Sequence, residues 1–393
     1  MLSVALAGKP NAGKSTFYKA ATMADVDVGN YPFTTIDANR GVSYVRTECP
    51  CLEREERCGD EHCRGGKRYV PVELLDVAGL VPGAHEGRGL GNQFLDELSN
   101  ADAILNVVDA SGGTNEEGEP VEVGEHDPVE DVDFVEAEMD LWLASIVDRN
   151  WESVERQSRS PDFDIDEALA EMLTGVGATE LDVARTLREL DYPEDPIQWT
   201  DEHREALASE IRQRTKPIVV VANKADIAPE SNVERLREAA EFVVPATADG
   251  ELALRNGAEA GIVDYDPGDP DFEIVGDVSD QQAQGLERIR EVMQEWGGTG
   301  VQQSLNTAVY DLLDHLTAYP VQNESKWTDA KGNVLPDAHL LPRGSTPTDL
   351  SYAVHSDIGD GYLHAVDAKD GRKIGDDHEL EEGDVVKIVS TAN

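Results

Sequence analysis

The octapeptide GKPNAGKS at residues 8–15 constrains the fold more than any other feature, because it fits the pattern GxxxxGKS. The apolar run LSVALA before it predicts a short buried strand, and a helical pattern begins at Lys14. In such a context, backbone N–H groups converge on phosphate oxygens and the helix N-terminus adds positive potential. The sequence therefore predicts a phosphate-binding loop, called here the phosphate loop (residues 8–15).

The phosphate loop also offers side chains for the phosphates and for a metal ion. Lys14 is expected to reach the β- and γ-phosphates of a nucleoside triphosphate and to act in catalysis. The Ser15 hydroxyl is expected to coordinate Mg²⁺. The predicted nucleotide contacts of this region are Gly8, Asn11, Ala12, Gly13, Lys14, Ser15 and Thr16.

Strand and helix patterns alternate along the chain, as a doubly wound, mainly parallel α/β sheet requires. Strands are predicted at residues 41–46, 69–79, 103–111, 217–222 and 241–247, and a helix is predicted around residues 92–100. The segment before residue 217 is too long for an ordinary connection, and its apolar residues recur at three- and four-residue steps. These steps indicate an inserted all-helical arm.

The hydrophobic pattern of the last part of the sequence changes from helical to β-like. A helical pattern is predicted from residue 285 through residue 316, and short β-like runs separated by Gly and Asp turns follow it. We expect a P-loop NTPase domain at residues 1–111 and 215–317, a helical domain at residues 112–214, and a β-rich domain at residues 318–393.

Two further motifs are in the order that a nucleotide switch requires. Asp76 opens the tetrapeptide DVAG, where its carboxylate can hold Mg²⁺ through water and the Gly79 amide can sense the γ-phosphate. Thr34 and Thr35 lie between this motif and the phosphate loop. One of their hydroxyls is expected to be the second protein ligand of Mg²⁺, and Thr35 is preferred. Plain turn threonines are the alternative.

The tetrapeptide NKAD at residues 223–226 follows an apolar strand and predicts selection of the base. The carboxylate of Asp226 can accept hydrogen bonds from N1–H and the 2-amino group of guanine, donors that adenine does not present together. Asn223 and Lys224 are predicted to support this contact. Thr247 and Ala248, after the next strand, could supply a backbone contact to the guanine carbonyl.

With these motifs the sequence resembles the Obg superfamily of GTPases, and within it the YchF group. The runs GKPNAGKS, NYPFTTI and DVAGLVPGAHEGRGLGNQFLDEL carry the resemblance, and the tail from residue 341 is similar to a TGS domain, a small β-grasp module. The arm and residues 249–284 match in position only. YchF proteins commonly have glutamate at the position of Asp226 and prefer ATP. The intact aspartate therefore favours GTP and GDP as ligands, with ATP as the alternative.

The resemblance also bears on hydrolysis. Many small GTPases orient water with a glutamine just after DxxG, but Leu80 occupies that position, as the superfamily implies. In related GTPases an asparagine at the position of Asn11 helps to seat K⁺, whereas a turn-forming role is the alternative. His85, Glu86, Arg88 and His126 are weaker candidates for positioning water or charge. Slow turnover is expected, accelerated by K⁺ or by a partner.

Four cysteines lie together in the connection between the second and third predicted strands. Cys49, Cys51, Cys58 and Cys63 have the spacing CxCx₆Cx₄C, which could close a tetrahedral Zn²⁺ site. The spacing is not that of two CxxC pairs, so reduced thiols without a role and redox-sensitive thiols coupled to the switch region stay open.

The composition indicates an unusual environment. The chain has 33 Lys plus Arg and 80 Asp plus Glu, a formal net charge of −47 that is spread along the whole sequence. About 1 M salt would screen such repulsion, so a halophilic protein of a salt-rich cytoplasm is expected. No apolar run long enough for a membrane span occurs, and neither a membrane nor DNA is expected as a partner.

The function expected from the motifs and the resemblance is a GTP-hydrolysing switch in translation. The ribosome or its RNA is the expected partner, contacted by the arm and the TGS-like tail, and this rests on the resemblance. An ATP-preferring enzyme in redox or stress regulation is one alternative. A nucleotide-binding module without hydrolysis is another.

Overall fold

The computed structural model describes residues 1–22, 40–55, 57–58, 61–77, 80, 83, 97–190, 192–193 and 195–391. Its first sheet has the strand order β2-β4-β1-β5-β6-β7, with β3 paired to β4. The strands are β1 (Ser3–Ala7), β2 (Arg40–Glu48), β3 (Cys63–Arg64), β4 (Lys67–Asp76), β5 (Ala103–Asp109), β6 (Ile218–Asn223) and β7 (Val243–Pro245).

Most of this sheet is parallel, as predicted. Strands β4, β1, β5, β6 and β7 run in one direction, while β2 and β3 pair antiparallel to β4. All five residues of β1 are buried, which is typical of a central strand covered on both faces. The carboxyl ends of β1, β4 and β6 therefore lie on one edge of the sheet, where ligands bind in folds of this type.

Helices cover both faces of the sheet. The first, α1 (Lys14–Ala21), directly follows the phosphate loop, and residues 128–215 form the helices of the predicted insert. These are α2 (Pro128–Gln157), α3 (Ile165–Leu173), α4 (Glu180–Glu189) and α5 (Asp201–Thr215). One apolar cluster joins the insert to the sheet, because Val135 and Met139 of α2 pack with Ala7 and Ile104 of the strands.

The chain after β6 contains a smaller helical and extended region. It comprises α6 (Glu230–Ala239), α7 (Ala248–Glu259), β8 (Val263–Asp264), β9 (Glu273–Ile274), α8 (Asp280–Trp296) and α9 (Val301–Asn306). The first five residues of α9 and the π-helical turn after it, residues 307–312, bury Val301, Leu305 and Val309 against the core of the first sheet.

The prediction of a helix through residue 316 is wrong at its end. Helix α8 stops at Trp296 because Gly297 adopts a left-handed conformation, with φ 81°, and Asp314 also has a positive φ of 47°. Strand β10 begins at His315, since pairing with two other strands outweighs the local helical pattern. The second sheet thus begins three residues before the expected limit at residue 318.

The second sheet has the order β11-β10-β14-β12-β13. Its strands are β10 (His315–Val321), β11 (His339–Pro342), β12 (Tyr362–Asp367), β13 (Lys373–Ile374) and β14 (Asp384–Ser390). Helices α10 (Pro347–Val354) and α11 (Ser356–Asp360) accompany it, and Leu350 of α10 packs on its apolar face. The β-like runs of the sequence are confirmed as strands, whereas α10 was not foreseen.

In the described part of the chain, no helix combines the length and the apolar character that crossing a membrane requires.

Candidate nucleotide-binding site

The phosphate loop lies between the carboxyl end of β1 and the start of α1. Gly8 has φ 129°, and a Cβ there would lie 2.3 Å from the carbonyl oxygen of Val107. Gly13 has φ 103°, and a Cβ there would lie 2.2 Å from Nδ2 of Asn223. Both positions combine a backbone conformation and a close approach that only glycine satisfies, so the two glycines of the motif set the path of the loop.

Lys14 points back over the loop. Its Nζ donates hydrogen bonds to the carbonyl oxygens of Gly8 at 2.9 Å and Lys9 at 2.8 Å, and its side chain is buried. Burial lowers the pKa of Lys14 to about 8, although the carboxylate of Asp76 acts in the opposite direction. An ammonium in this place can exchange carbonyl partners for anionic phosphate oxygens, which accept stronger hydrogen bonds.

The two described candidates for Mg²⁺ are neighbours. Asp76 ends β4, where it is paired in register with Leu6 of β1, and its carboxylate lies close enough to the Ser15 side chain for that side chain to affect its pKa. Burial raises the pKa of Asp76, whereas Lys14 and Ser15 act to lower it. A hydroxyl and a carboxylate are oxygen donors that suit Mg²⁺.

Two other predicted residues of this part of the site, Thr35 and Gly79, lie outside the described residues, as do Thr34, His85, Glu86 and Arg88.

Asn223 and Lys224 connect the end of β6 to the phosphate loop. Asn223 Nδ2 donates to the Ala12 carbonyl at 2.9 Å, and Lys224 Nζ donates to the Asn11 carbonyl at 3.0 Å. Lys224 also forms an ion pair with Asp109 at 2.8 Å. The tetrapeptide NKAD at residues 223–226 is called here the base-side motif. These hydrogen bonds fix its position relative to the phosphate loop, although the two are far apart in sequence.

The pKa of Asp109 reflects the same contact. Burial alone would raise it, but hydrogen bonds from Lys224, Ser111 and Thr114 outweigh burial and hold it below its ordinary value. Asp109 is therefore a buried carboxylate that keeps Lys224 in place.

Of the remaining base-side residues, Thr247 and Ala248 are buried, and only Asp226 is at the surface. Asp226 is exposed just beyond β6. The amide of Ala248 donates to Asn223 Oδ1 at 3.1 Å, and the Thr247 hydroxyl caps α7 by accepting from Gly250 N at 3.2 Å. The structure thus gathers these residues at one end of β6 and β7, and it gives Thr247 a capping role that the sequence analysis did not foresee.

Three families match this chain. Residues 3–136 match the family described as 50S ribosome-binding GTPase, and residues 221–323 match the Obg-like GTPase YGR210-like, G4 motif-containing domain. Residues 331–390 match the TGS domain.

An uncharacterised GTP-binding protein of Methanocaldococcus jannaschii is 45% identical, covering 100% of both chains. The ribosome-binding ATPase YchF of Bacillus subtilis is 30% identical over 66% of this chain and 69% of its own. The chain belongs to the YchF group of Obg-like GTPases.

Solved structures agree with this assignment. A GTP-binding protein from Pyrococcus horikoshii is 38% identical with a TM-score of 0.80, covering 99% of this chain and 100% of that one. The YchF GTPase of Schizosaccharomyces pombe, at 18% identity and a TM-score of 0.58, covers 99% of this chain and 97% of its own and shows the fold alone. The P-loop domain, helical region and TGS domain are confirmed, and this YchF-group protein is a nucleoside triphosphate hydrolase.

Lys9, which the sequence analysis did not single out, is a buried cation in the phosphate loop of this YchF-group protein. Its side chain is 1% exposed, its Nζ lies 2.8 Å from Asp131 Oδ2, and it donates to the Thr114 carbonyl at 2.7 Å. His126 Nε2 lies 2.8 Å from the other oxygen of Asp131. The loop is thus joined to the helical insert by buried charges, and His126 is a partner of Asp131.

Asn11 and Leu80 also have defined surroundings. Asn11 adopts a left-handed backbone, with φ 61°, and its Nδ2 donates to the Gly118 carbonyl at 2.9 Å. Leu80 is 1% exposed, and its amide donates to the Gly8 carbonyl at 3.1 Å. A buried aliphatic side chain offers nothing that could orient a water molecule for attack.

The four cysteines lie away from the nucleotide site, between β2 and β4. Their Sγ atoms all lie within 4.8 Å of one another, and Cys49, Cys51 and Cys58 are buried.

Proposed function

We propose that this protein is a Mg²⁺-dependent hydrolase that prefers GTP to ATP. The observation that carries the proposal is the base-side motif: Asn223 and Lys224 are bonded to the phosphate loop, while the carboxylate of Asp226 is exposed beside them. A carboxylate in this place can accept both hydrogen bonds that guanine N1–H and the 2-amino group donate. Adenine offers no such pair of donors, and a site built to pair a donor rejects its absence strongly.

Competition between nucleotides tests this preference. We expect GTP to bind at least about 100-fold more tightly than ATP, since two hydrogen bonds to a charged acceptor distinguish them. Equal affinities would contradict the role of Asp226 and favour the ATP preference that the name of the Bacillus subtilis relative suggests.

A substitution with a matched ligand separates recognition from folding. Asp226→Asn replaces one acceptor oxygen with an N–H₂ donor, which matches xanthine, whose 2-position is a carbonyl rather than an amino group. We expect D226N to lose GTP affinity by about 100-fold and to bind xanthosine triphosphate better than the wild type does. Loss of GTP affinity without that gain would mean that Asp226 does not meet the base.

The Mg²⁺ requirement is proposed on the neighbouring oxygens of Ser15 and Asp76. A bound Mg²⁺ would neutralise negative charge on the β- and γ-phosphate oxygens. Ser15→Ala should therefore lower the affinity for GTP measured with Mg²⁺ much more than the affinity measured with EDTA. An equal loss in both conditions would argue against a metal ligand at Ser15. Thr35 stays the predicted second ligand, and Gly79 the predicted γ-phosphate sensor.

Slow turnover and stimulation by K⁺ are proposed together. The buried Leu80 cannot orient water, and the Nδ2 of Asn11 is bonded to Gly118, so Oδ1 is the atom of Asn11 that suits a cation. Turnover measured in K⁺ should exceed turnover in Na⁺ at matched ionic strength, and Asn11→Ala should remove the difference. Equal rates in the wild type would leave Asn11 as a turn residue only.

Association with the ribosome is the partner proposal, and a cytoplasmic location follows from it. Its support is the name of the Bacillus subtilis relative, a ribosome-binding ATPase, and the family described as 50S ribosome-binding GTPase. Cosedimentation with ribosomal subunits should be stronger with a non-hydrolysable GTP analogue than with GDP. Absence of cosedimentation in both states, at the salt concentration of the native cytoplasm, would contradict it.

A further inference from the structure

The four cysteines form a compact cluster of sulfur atoms. The pair Cys49 and Cys58 has its Sγ atoms 3.6 Å apart, and the pair Cys51 and Cys63 has them 3.9 Å apart. Four Zn–S bonds of about 2.3 Å in a tetrahedron place neighbouring sulfurs about 3.8 Å apart. A disulfide would require about 2.05 Å. The cluster therefore has the dimensions of a tetrahedral metal site and not those of two disulfides.

The four sulfurs come from different parts of a loop that the first sheet holds at both ends. Cys49 directly follows β2, Cys51 lies in a short 3₁₀ turn, and Cys63 begins β3. The Cys49 amide donates to the Gly66 carbonyl at 2.8 Å, which closes the loop at its base. The chain has four cysteines in total, and all of them meet here.

The cluster is packed against the TGS domain. Three of its cysteines share an apolar cluster with residues of the second sheet and its connections: Tyr319, Val321, Trp327, Leu335, Ala368 and Val385. The surrounding polar contacts also cross between the two parts of the molecule. Arg68 donates to the Leu335 carbonyl at 3.1 Å, and Thr47 donates to Glu382 at 2.7 Å.

Residues 49–63, which carry the four cysteines, are called here the cysteine loop. Two further residues of this loop, Glu53 and Arg54, contact the same domain. The Arg54 guanidinium lies 4.7 Å from the centre of the Trp327 ring and donates to the Ser325 carbonyl at 3.0 Å. Glu53 forms an ion pair with Lys369 at 2.9 Å. The conformation of the cysteine loop therefore determines a contact surface for the TGS domain.

We propose that Cys49, Cys51, Cys58 and Cys63 bind one Zn²⁺ as a structural site that holds the cysteine loop against the TGS domain. Four protein thiolates fill the tetrahedral coordination of zinc and leave no position for a substrate, which is the arrangement of structural rather than catalytic sites. Zinc is inert to oxidation and reduction, so the bound ion itself would take no part in redox chemistry at this contact. This role is independent of the proposed GTP preference.

Metal analysis of the full-length protein, purified without chelators, tests the binding. We expect about one zinc per chain. Cys63→Ser, at the least buried of the four, should lose most of that zinc to a competing chelator that leaves the wild type loaded. Protein that carries no zinc and takes up none when Zn²⁺ is supplied would overturn the proposal. Stoichiometric iron in place of zinc would overturn the choice of metal.

His62 provides a matched control, because it is adjacent to Cys63 but its ring faces the Tyr44 ring at 5.5 Å. His62→Gln should keep the full zinc content. Loss of zinc in H62Q would show that the four-cysteine ligand set is wrong.

Cobalt substitution in the wild type avoids dependence on any variant. Protein stripped of zinc and loaded with Co²⁺ should show the intense visible and near-ultraviolet bands of tetrahedral cobalt thiolate. No cysteine outside the cluster exists to produce them. Absence of these bands, with the protein still folded, would contradict the site.

Hydrogen exchange tests the structural role. Removing zinc should speed amide exchange at Cys49 and Leu335, whose amides are bonded to Gly66 and Trp327 carbonyls, and leave that at Leu80 in the nucleotide site unchanged. Exchange that is unaffected at all three positions would overturn the role at the TGS contact. Exchange that rises at all three would indicate global unfolding and overturn the local role.

Discussion

Two lysines of the phosphate loop show how surroundings give one residue type two different tasks. Lys9 is almost fully buried and lies 2.8 Å from Asp131, so its charge has a permanent partner. Lys14 is held by the carbonyls of Gly8 and Lys9 and has a pKa lowered to about 8. The charge of Lys14 is therefore the one available to a ligand.

The lowered pKa of Lys14 predicts a pH dependence of nucleotide binding. Triphosphate stabilises the protonated ammonium, so the free protein must take up a proton on binding at any pH above about 8. GTP affinity should be nearly constant from pH 7 to 8 and then fall by up to about tenfold per pH unit. Calorimetry at several pH values would measure this, together with the proton uptake.

Lys14→Met is the control for that titration, because it has no ammonium to titrate. It should bind GTP weakly and with no step near pH 8. A step of the same size in K14M would assign the titration to another group.

The same lowered pKa gives an opposite sign for the stability of the nucleotide-free protein. Between pH 8 and 10.5 the unfolded chain binds more protons at Lys14 than the folded chain does. The contribution of Lys14 to the free energy of unfolding therefore rises with pH through this window.

At this scale the sequence is informative wherever function requires a local pattern. The places of Gly8, Gly13 and Lys14 follow from the spacing of the motif, because that spacing decides which residues take a positive φ and which side chain returns to the carbonyls of the loop. The role of Lys9 could not be predicted, since its partners Thr114 and Asp131 come from the distant insert and only the tertiary fold brings them together.

At the scale of elements, helix α2 connects the insert with the nucleotide site. Its apolar face packs against β1 and β5, and Asp131 in its first turn meets Lys9 of the phosphate loop. The helix starts with the Asp127 side chain accepting from the Val129 amide at 3.0 Å. A displacement of α2 would therefore shift the position of the phosphate loop, because Asp131 is paired with Lys9.

We predict a strong coupling between Lys9 and Asp131. Removing one partner of a buried ion pair leaves the other charge uncompensated, so Lys9→Met or Asp131→Asn should lower the free energy of unfolding by about 3–5 kcal/mol. The double variant should lose much less than the sum of the two. Urea unfolding of the four proteins in a double-mutant cycle would measure the coupling.

The ion pair of Arg40 and Glu73 is the matched control on the same sheet. Its side chains are 48% and 32% exposed, and its N–O distance is 3.1 Å. Arg40→Ala should change stability by less than about 1 kcal/mol. Additive losses at Lys9 and Asp131, like those of a surface pair, would mean that the two residues are not coupled.

Elements were predictable where one periodicity dominates. The buried runs of β1, β5 and β6 and the apolar stripe of α2 are long and unmixed. The helical pattern extends through residue 316 and so covers the first two residues of β10, and only pairing with β11 and β14 makes them extended. Helix α10 is short and lies between turns, so its eight residues give little periodic signal.

At the scale of the whole molecule, the formal net charge of −47 opposes the compact state. Repulsion among surface carboxylates reaches about 10 Å in 0.1 M salt but only about 3 Å in 1 M salt. The folded chain brings these charges closer together than the unfolded chain does, so screening stabilises folding.

We predict that the melting temperature rises steeply with salt. Raising KCl from about 0.1 M to about 1 M should stabilise the protein, and NaCl should act similarly because screening depends on ionic strength. Differential scanning calorimetry at both concentrations measures the effect. An unchanged or lower melting temperature in high salt would contradict the interpretation of the acidic composition.

The central claim is that the phosphate loop binds the triphosphate of GTP through its backbone and Lys14. Calorimetric titration of the full-length protein with Mg²⁺ and a non-hydrolysable GTP analogue tests it most directly, beside Lys14→Ala checked for folding by circular dichroism. We predict one site per chain in the wild type and a loss of affinity of at least about 100-fold in K14A. No binding by the wild type, or equal affinity in a folded K14A, would contradict the claim.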